Sequence, residues 1–600
     1  MKLSSSSWCI SWGETPYLYE REGKKSSLRL PNLFSRPNLT TKCENVLKES
    51  LIWRDEKICI FTPNPSLQLA FSSTKRFVVV GDIWLTNRQE LLQQLGTVSN
   101  QNTDCQIVAE LWERWGVESL TKLVGMFALA VCDRELQVLY NVRDRVGSYT
   151  LYYTNQGSTR WIAPQLRTLA PYHSQDLDLV ALRDYLCCAF VPGEQTLWQQ
   201  VRELRPGTYL TLPDERIQVY WQVQEQITDS NQSLQWHSTQ LRNLLNQVIP
   251  EYLPTNQPVG VFLSGGLDSS CVTALATKFH THPVHTYSIH FGEDCPNELE
   301  FSSLVANHCQ TQHHILEITF KQMWEYLVET MADLDDPIGD PLTVPNLLIA
   351  KLAKQTVEIV LNGEGGDPCF GGPKNQPMLL NSLYSSVSNR RDYLSAYLLS
   401  FQKCAANLPQ LLKPEVWNAV KQAPSVFEAD LNSDANYLNR LMRLNIKFKG
   451  ADQILTKVNN ISHAVGLTAR SPLFDQRVVE LSMKIPPEYK LSGVQEKAVL
   501  KQAVADLLPQ AILERPKSGM MVPVQLGFRK FWQRQAQKLL LSRNAAIAPY
   551  LNQSLIRELL NYQGDTWNRY GVKLWLLVSL EIWLQGNITD GRLIRYSNNS

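Results

Sequence analysis

The chain holds 12 cysteines, yet no two of them form a Cys-x-x-Cys pair. That absence excludes the usual zinc-ribbon pattern, and the wide spacing from Cys9 to Cys404 excludes a small disulfide framework. Scattered thiols of this kind predict buried free cysteines in a reducing, cytoplasmic setting. Charge of one sign is missing too: 58 Lys and Arg stand against 57 Asp and Glu, for a net charge of +1. Nothing in that balance asks for nucleic acid or an anionic membrane as partner. No run of about eighteen apolar residues occurs, and Met1-Lys2-Leu3-Ser4 opens no apolar leader, so neither a membrane span nor a secretory signal is expected. No repeat of fixed period interrupts the chain.

What remains is a 600-residue chain with 44% hydrophobic and 19% charged residues. That length predicts more than one domain, and that composition predicts globular ones. Residues 1–222 read as β-rich, with runs such as Phe77–Asp82, Met126–Val131 and Leu151–Tyr153 and helices over Asn87–Leu95 and Thr103–Trp115. This density of short strands predicts antiparallel sheets with helices outside. Residues 223–236 are polar and read as a linker. From 237 to 600 apolar runs alternate with helical segments, which predicts an α/β fold on a doubly wound parallel sheet with a helical C-terminal part.

Two loops carry the chemistry. Val259–Leu263 is a short apolar run that stops at Ser264-Gly265-Gly266-Leu267-Asp268-Ser269-Ser270, and a helix is expected over Cys271–Lys278. Strand, glycine loop and helix start together make an anion site of backbone N–H groups and hydroxyls. Asp268 beside phosphates calls for Mg²⁺ between them. The second loop, Asn362-Gly363-Glu364-Gly365-Gly366-Asp367, follows another apolar strand. Asp268 and Asp367 would share the metal on a triphosphate, and Glu364 could transfer protons.

The order of strings then resembles the asparagine synthetase family: Ser264–Ser270, Gly363–Asp367, Arg470-Ser471-Pro472-Leu473-Phe474-Asp475, Lys497-Ala498-Val499-Leu500 and Arg515-Pro516-Lys517-Ser518-Gly519. Gly125–Ala128, Asp133, Arg143-Asp144-Arg145-Val146-Gly147, Val191–Gly193 and Leu204–Gly207 extend the match into the first half. The resemblance implies a glutaminase-like sandwich of the N-terminal-nucleophile type over 1–222, and an ATP-pyrophosphatase-type synthetase domain over 237–600. It implies ATP and Mg²⁺, with Leu263, Ser264, Gly265, Gly266, Asp268, Ser269, Ser270, Ser288 and Gly363 around the nucleotide and Asp268 and Asp367 on the metal. Lys497 corresponds to the lysine that neutralises charge during adenylation, and Glu364 to a catalytic acid. The substrate would be a small-molecule or peptide carboxylate, and a homodimer is compatible with the family.

The chain also departs from that family. The nucleophilic cysteine expected directly after the initiator is Lys2 here. Cys9, in Trp8-Cys9-Ile10, reads as a strand-core thiol. Val80-Gly81-Asp82-Ile83 replaces the family's Asn-Gly oxyanion pair, and its Arg-Gly-Pro-Asp string is missing from the first sixty residues. Asp104 matches the acid that would hold glutamine's amine, but one ligand does not make a site. In the second half, Lys457-Val458-Asn459-Asn460 stands where the family has an Asp-Arg pair after valine, Thr468 stands in place of Glu, and Pro368-Cys369-Phe370 follows the second loop in place of Glu-Leu-Phe. These changes fall where the acyl substrate would be read. Three readings follow: an asparagine-forming ligase using ammonia or glutamine, an intramolecular amide-forming cyclase with a silent first domain, and a non-catalytic binding protein.

Overall fold

The computed structural model describes residues 8–13, 51–62, 69–96, 102–293, 295–372, 393–492, 495–515, 522–562 and 570–588. Lys2 and the Pro516–Gly519 string lie outside them. The chain divides into two compact units, one formed by residues 1–177 and 194–222, the other by 178–193 and 223–600.

In the first unit, β1 (Cys9–Trp12), β2 (Leu51–Arg54), β3 (Ile58–Phe61), β8 (Tyr152–Gln156), β9 (Thr159–Ala163) and β10 (Val201–Glu203) form one sheet, ordered β10-β8-β9-β1-β3-β2. The other sheet, ordered β12-β11-β7-β6-β5-β4, holds β4 (Leu69–Phe71), β5 (Phe77–Leu85), β6 (Gly125–Asp133), β7 (Val138–Arg143), β11 (Thr208–Leu212) and β12 (Arg216–Val219). Every pairing in both sheets is antiparallel. Residue alternation along β5 explains the layering. Val78 and Val80 join Trp8, Ile10, Trp12 and Ile60 in a core shared with the first sheet. Phe77 and Val79 face the other way, with Ile107, Val108, Leu111 and Trp112 of α2 (Asp104–Trp115), which follows α1 (Arg88–Leu95). A sheet covered on both faces needs apolar residues at successive positions, hence the unbroken run along β6. The Arg143–Gly147 string is the unit's buried anchor: Asp144 Oδ1 accepts from the N–H groups of Val146, Gly147 and Ser148 at 3.1, 2.8 and 3.0 Å.

The second unit contains α3 (Leu179–Cys188) and then α4 (Leu234–Tyr252), whose Leu241, Leu245 and Val248 are buried on one stripe. Its sheet is parallel throughout, ordered β15-β14-β13-β16-β17, from β13 (Val259–Phe262), β14 (Val284–His290), β15 (Gln312–Glu317), β16 (Ile359–Leu361) and β17 (Thr468–Arg470). The chain runs outward from β13 through β14 to β15, then returns to β16 on the opposite side. Strand order therefore reverses between β13 and β16, and the carboxyl ends of that pair form the crevice where such sheets bind ligands. Helices α5 (Leu267–Phe279), α6 (Leu299–His308) and α7 (Thr343–Ala353) follow the first three strands, and α8 (Gly366–Phe370) follows β16. Beyond β16 the described chain is mainly helical, including α9 (Thr456–Ala464), α10 (Ala498–Ala503) and α11 (Tyr570–Asn587). The deeply buried α11 keeps one carboxylate, Glu581, which accepts from the N–H groups of Ala546 and Ile547 at 2.8 and 2.9 Å. No helix among the described residues is long and apolar enough to cross a membrane.

Candidate active site

The Ser264–Ser270 string straddles the end of β13 and the start of α5. The helix begins at Leu267, earlier than the Cys271 expected from sequence, because Gly266 in extended conformation serves as its N-cap. Asp268, Ser269 and Ser270 therefore occupy the first helical turn rather than the loop. Ser270 N donates to Gly266 O at 3.0 Å, so what the first turn adds to the anion cradle is the positive end of the helix dipole. Ser264 Oγ lies 3.1 Å from Ser269 Oγ and accepts from Gly266 N at 3.3 Å, which fixes the loop's curvature. Gly265 takes φ 75°, where a Cβ would stand 2.6 Å from Ser302 N, so only glycine fits. Ser288 spends its hydroxyl on the Leu263 carbonyl and Leu263 N donates to Tyr287 O at 2.9 Å, binding β13 to β14 beside the crevice.

The second loop is pressed against the first. A Cβ on Gly363 would fall 2.5 Å from Ser269 N, and one on Gly366 2.2 Å from the Asp268 carboxylate. These glycines let two backbones meet at the switch point. Glu364 N donates to Asn362 Oδ1 at 3.0 Å, which shapes the turn and leaves the Glu364 side chain half-buried.

Lys497 joins the two loops. Its Nζ lies 2.6 and 2.5 Å from the two oxygens of Asp268 and 2.6 Å from Asp367 Oδ1. The lysine sits at the start of α10 with φ 53°, a left-handed conformation that costs a non-glycine residue roughly 1–3 kcal/mol. Its N–H donates to Lys490 O at 2.6 Å, so the short hairpin of β18 (Leu491–Ser492) and β19 (Gln495–Glu496) delivers it. The two aspartates that sequence reading assigned to a metal are thus brought together, with this ammonium between them.

Sequence reading singled out the strings that hold Lys457 and Arg515 but not their contacts, and it missed Lys490 altogether. Lys457 on α9 is buried and its Nζ bonds Asp340 Oδ2 at 2.9 Å. Burial opposes both charges. Lys457 nonetheless holds the Asp340 carboxyl well below its usual range, while Asp340 and Glu364 together raise the lysine. Beside it, Asn460 Nδ2 donates to Asp335 Oδ2 at 2.6 Å. The acid-rich run Asp333–Asp340 was the available signal for this cluster. Arg515 donates to Gly265 O at 3.1 Å, pairs with Glu298 and stacks 3.9 Å over the Phe301 ring, clamping the glycine loop from outside. Lys490 is wholly buried with its Nζ on Asn439 Oδ1 at 2.8 Å, and nothing in its local sequence marks it.

Burial lowers the Lys490 amine to about 7, against opposing fields from Cys369, Glu225 and Glu488. The unfolded chain therefore binds more protons than the folded one between about pH 7 and the ordinary lysine value near 10.5. The penalty is fully present below pH 7 and vanishes as pH rises through that window. Lys490→Met is accordingly expected to raise the melting temperature at pH 6 and to lose most of that gain by pH 10, measured by thermal denaturation.

The residues at the switch point fit a triphosphate with a divalent cation. Ser270 Oγ is buried with no partner among the described residues. A Cβ on Gly266 would meet only Ser264 Oγ, at 3.4 Å, so the α5 N-terminus faces open space. Asp268 and Asp367 supply the hard oxygen donors that Mg²⁺ prefers.

In the first unit, Asp104 begins α2, accepts from Leu85 N at 3.0 Å and pairs with Arg88. Asp82, in the string that replaces Asn-Gly, accepts from the indole N–H of the fully buried Trp8 at 3.1 Å. Enclosure pushes the Asp82 carboxyl up to about 7, with the Trp8 bond pulling the other way. Cys9 is buried within β1, and burial pushes its thiol far above the ordinary range. His280 Nε2 lies 3.0 Å from Gln257 O, and His285 Nδ1 lies 3.1 Å from His314 Nε2.

Glycine loop, paired carboxylates and bridging lysine meet at a sheet switch point, and the relatives of this chain give the class: an ATP-dependent ligase. Residues 240–585 match the asparagine synthase family model, and residues 54–221 match the glutamine amidotransferase domain. The chain belongs to the asparagine synthase family. It is 24% identical to the glutamine-hydrolyzing asparagine synthetase 1 of Bacillus subtilis, with 83% of each chain covered. It is 25% identical to asparagine synthetase 3 of the same organism, over 80% of this chain and 81% of that one. Against asparagine synthetase B of Escherichia coli it is 24% identical, over 78% and 74%.

Proposed function

We propose that the second unit activates a carboxylate by transfer of AMP from ATP, releasing pyrophosphate, and then joins the activated acyl group to an amine with release of AMP. The observation that carries this reading is the Asp268–Lys497–Asp367 cluster beside the Ser264–Ser270 cradle. Asp268 and Asp367 would hold Mg²⁺, which supplies charge neutralisation on the departing phosphates. The loop N–H groups and the hydroxyls of Ser264, Ser269 and Ser270 bind the β- and γ-phosphates, where charge develops as pyrophosphate leaves. Lys497 offsets charge at the α-phosphate. Leu263 and Ser288 are assigned to adenine and ribose in this reading. Glu364, next to the Lys457–Asp340 pair, takes the proton from the incoming amine. The same pair, with Asn460 and Asp335, lines the acyl side.

The nitrogen is not drawn from glutamine by the first unit in this reading. The Trp8–Asp82 and Arg88–Asp104 pairs satisfy groups that a glutamine would need, and the Cys9 thiol is kept protonated by burial. Ammonium is the simplest donor. An amine within the substrate itself, as in a cyclase, is the second reading, and these occupied groups favour it equally.

The test is AMP formation by the full chain, with aspartate and with peptide carboxylates, supplied with ammonium or glutamine. Ammonium-dependent asparagine with AMP supports the first reading. AMP released with a cyclised product and no added amine supports the second. Cys9→Ala is expected to leave the ammonium-supported rate within about twofold of the parent, with no glutamine-dependent turnover in either protein. A selective loss of glutamine-dependent turnover would contradict the assignment of the first unit as silent.

A further inference from the structure

The Lys497 ammonium makes its contacts on the same carboxylates that the proposed function gives to the metal, and this inference rests on that reading. Its Nζ stands 2.5–2.6 Å from oxygens of both Asp268 and Asp367. A Mg²⁺ ion demands such oxygens at about 2.0–2.1 Å in near-octahedral array. An ammonium already on them and a dication arriving at them compete for the same lone pairs and repel one another.

We propose that Lys497 is a counter-cation for the two carboxylates that a metal ion binding them displaces. Loading the carboxylates and freeing the lysine for the nucleotide then become one event. Three observations support an exchange over a permanent ion pair. The backbone of Lys497 is pinned, its N–H on Lys490 O at 2.6 Å and its carbonyl accepting from Lys501 N at 2.9 Å, so only the four-carbon stem needs to move. The lysine side chain is 2% exposed, whereas Asp367 is 41% exposed, which gives an incoming cation access to the pair from solvent. The left-handed backbone at Lys497 is the kind of local strain that persists where a side chain must be aimed at a site.

The exchange predicts that the lysine weakens metal binding in the nucleotide-free protein. Mn²⁺ binding to the full chain, followed by the paramagnetic resonance of free Mn²⁺, is the measurement. Lys497→Met, of similar length and without charge, is expected to bind Mn²⁺ at least about tenfold more tightly than the parent, and Asp367→Asn to bind it more weakly. Equal affinity in parent and Lys497→Met would overturn the exchange while leaving the metal assignment standing. No Mn²⁺ binding to either would overturn both.

A second readout needs no substitution. Acetylation of Lys497 by acetic anhydride, read by peptide mass spectrometry, is expected to rise when Mn²⁺ is added to the parent. Unchanged labelling with Mn²⁺ bound would overturn the proposal even if Lys497→Met fails to fold.

Discussion

Lys497→Ala and Asp268→Ala are each expected to lower AMP formation by at least about 1,000-fold, with the protein still folded by circular dichroism. The magnitude follows from the chemistry asked of these groups. Removing one preorganised charge or donor from a site of developing charge costs about 10²–10³ in rate. In the proposed function both residues then act on one triphosphate, Asp268 through the metal and Lys497 at the α-phosphate, so the loss of either stops the same step. Asp268 additionally lies in the first turn of α5, where it meets the nucleotide's phosphates through the metal in the proposed function. The two substitutions therefore remove overlapping interactions, and the double variant should lose little more than either single one. Multiplied losses would mean that the two residues act independently, against the shared cluster.

Gly363→Ala is expected to reduce AMP formation by about 100-fold or more while adding a single methyl group. That methyl would sit 2.5 Å from Ser269 N and 2.8 Å from the Asp268 carbonyl carbon, both backbone atoms that no rotamer change can move. The clash must push α5 away from the second loop by some tenths of an ångström to an ångström. Misplacement on that scale costs about 100-fold in a reaction that depends on positioning. The control is Gly96→Ala, in the first unit, where a Cβ meets nothing within 4 Å but φ is 73°. It should cost some stability and leave the ligase rate unchanged.

Much of the second unit could be read from its residues because its signals are local. Val259–Phe262 and Ile359–Leu361 are short apolar runs ended by glycines and acids, and each became a strand of the parallel sheet with a site loop at its carboxyl end. The apolar run Phe77–Val80 was likewise legible as a strand, and its unbroken burial reflects a sheet covered on both faces. The contacts that complete the site were not legible, because they join distant segments. Lys497 meets Asp268 across 229 positions, and Lys457 meets Asp340 across 117. No window of sequence contains such pairs. The helix boundary at Leu267 was missed for a different reason. Serine and aspartate favour loops and caps in isolation, and only the extended Gly266 shows that the helix has already begun. The pairing of Asp104 with Arg88 was masked in the same way, since an acid at a helix start is ordinary on its own.

Carboxylate-dependent exchange of labelled pyrophosphate into ATP tests the central claim most directly. It reports reversible AMP transfer to a carboxylate and needs no amine. The account predicts exchange by the full chain with Mg²⁺ and at least one carboxylate from a panel of aspartate and peptide acids, abolished in Lys497→Ala. Absence of exchange with every carboxylate, together with no binding of ATP, would contradict it.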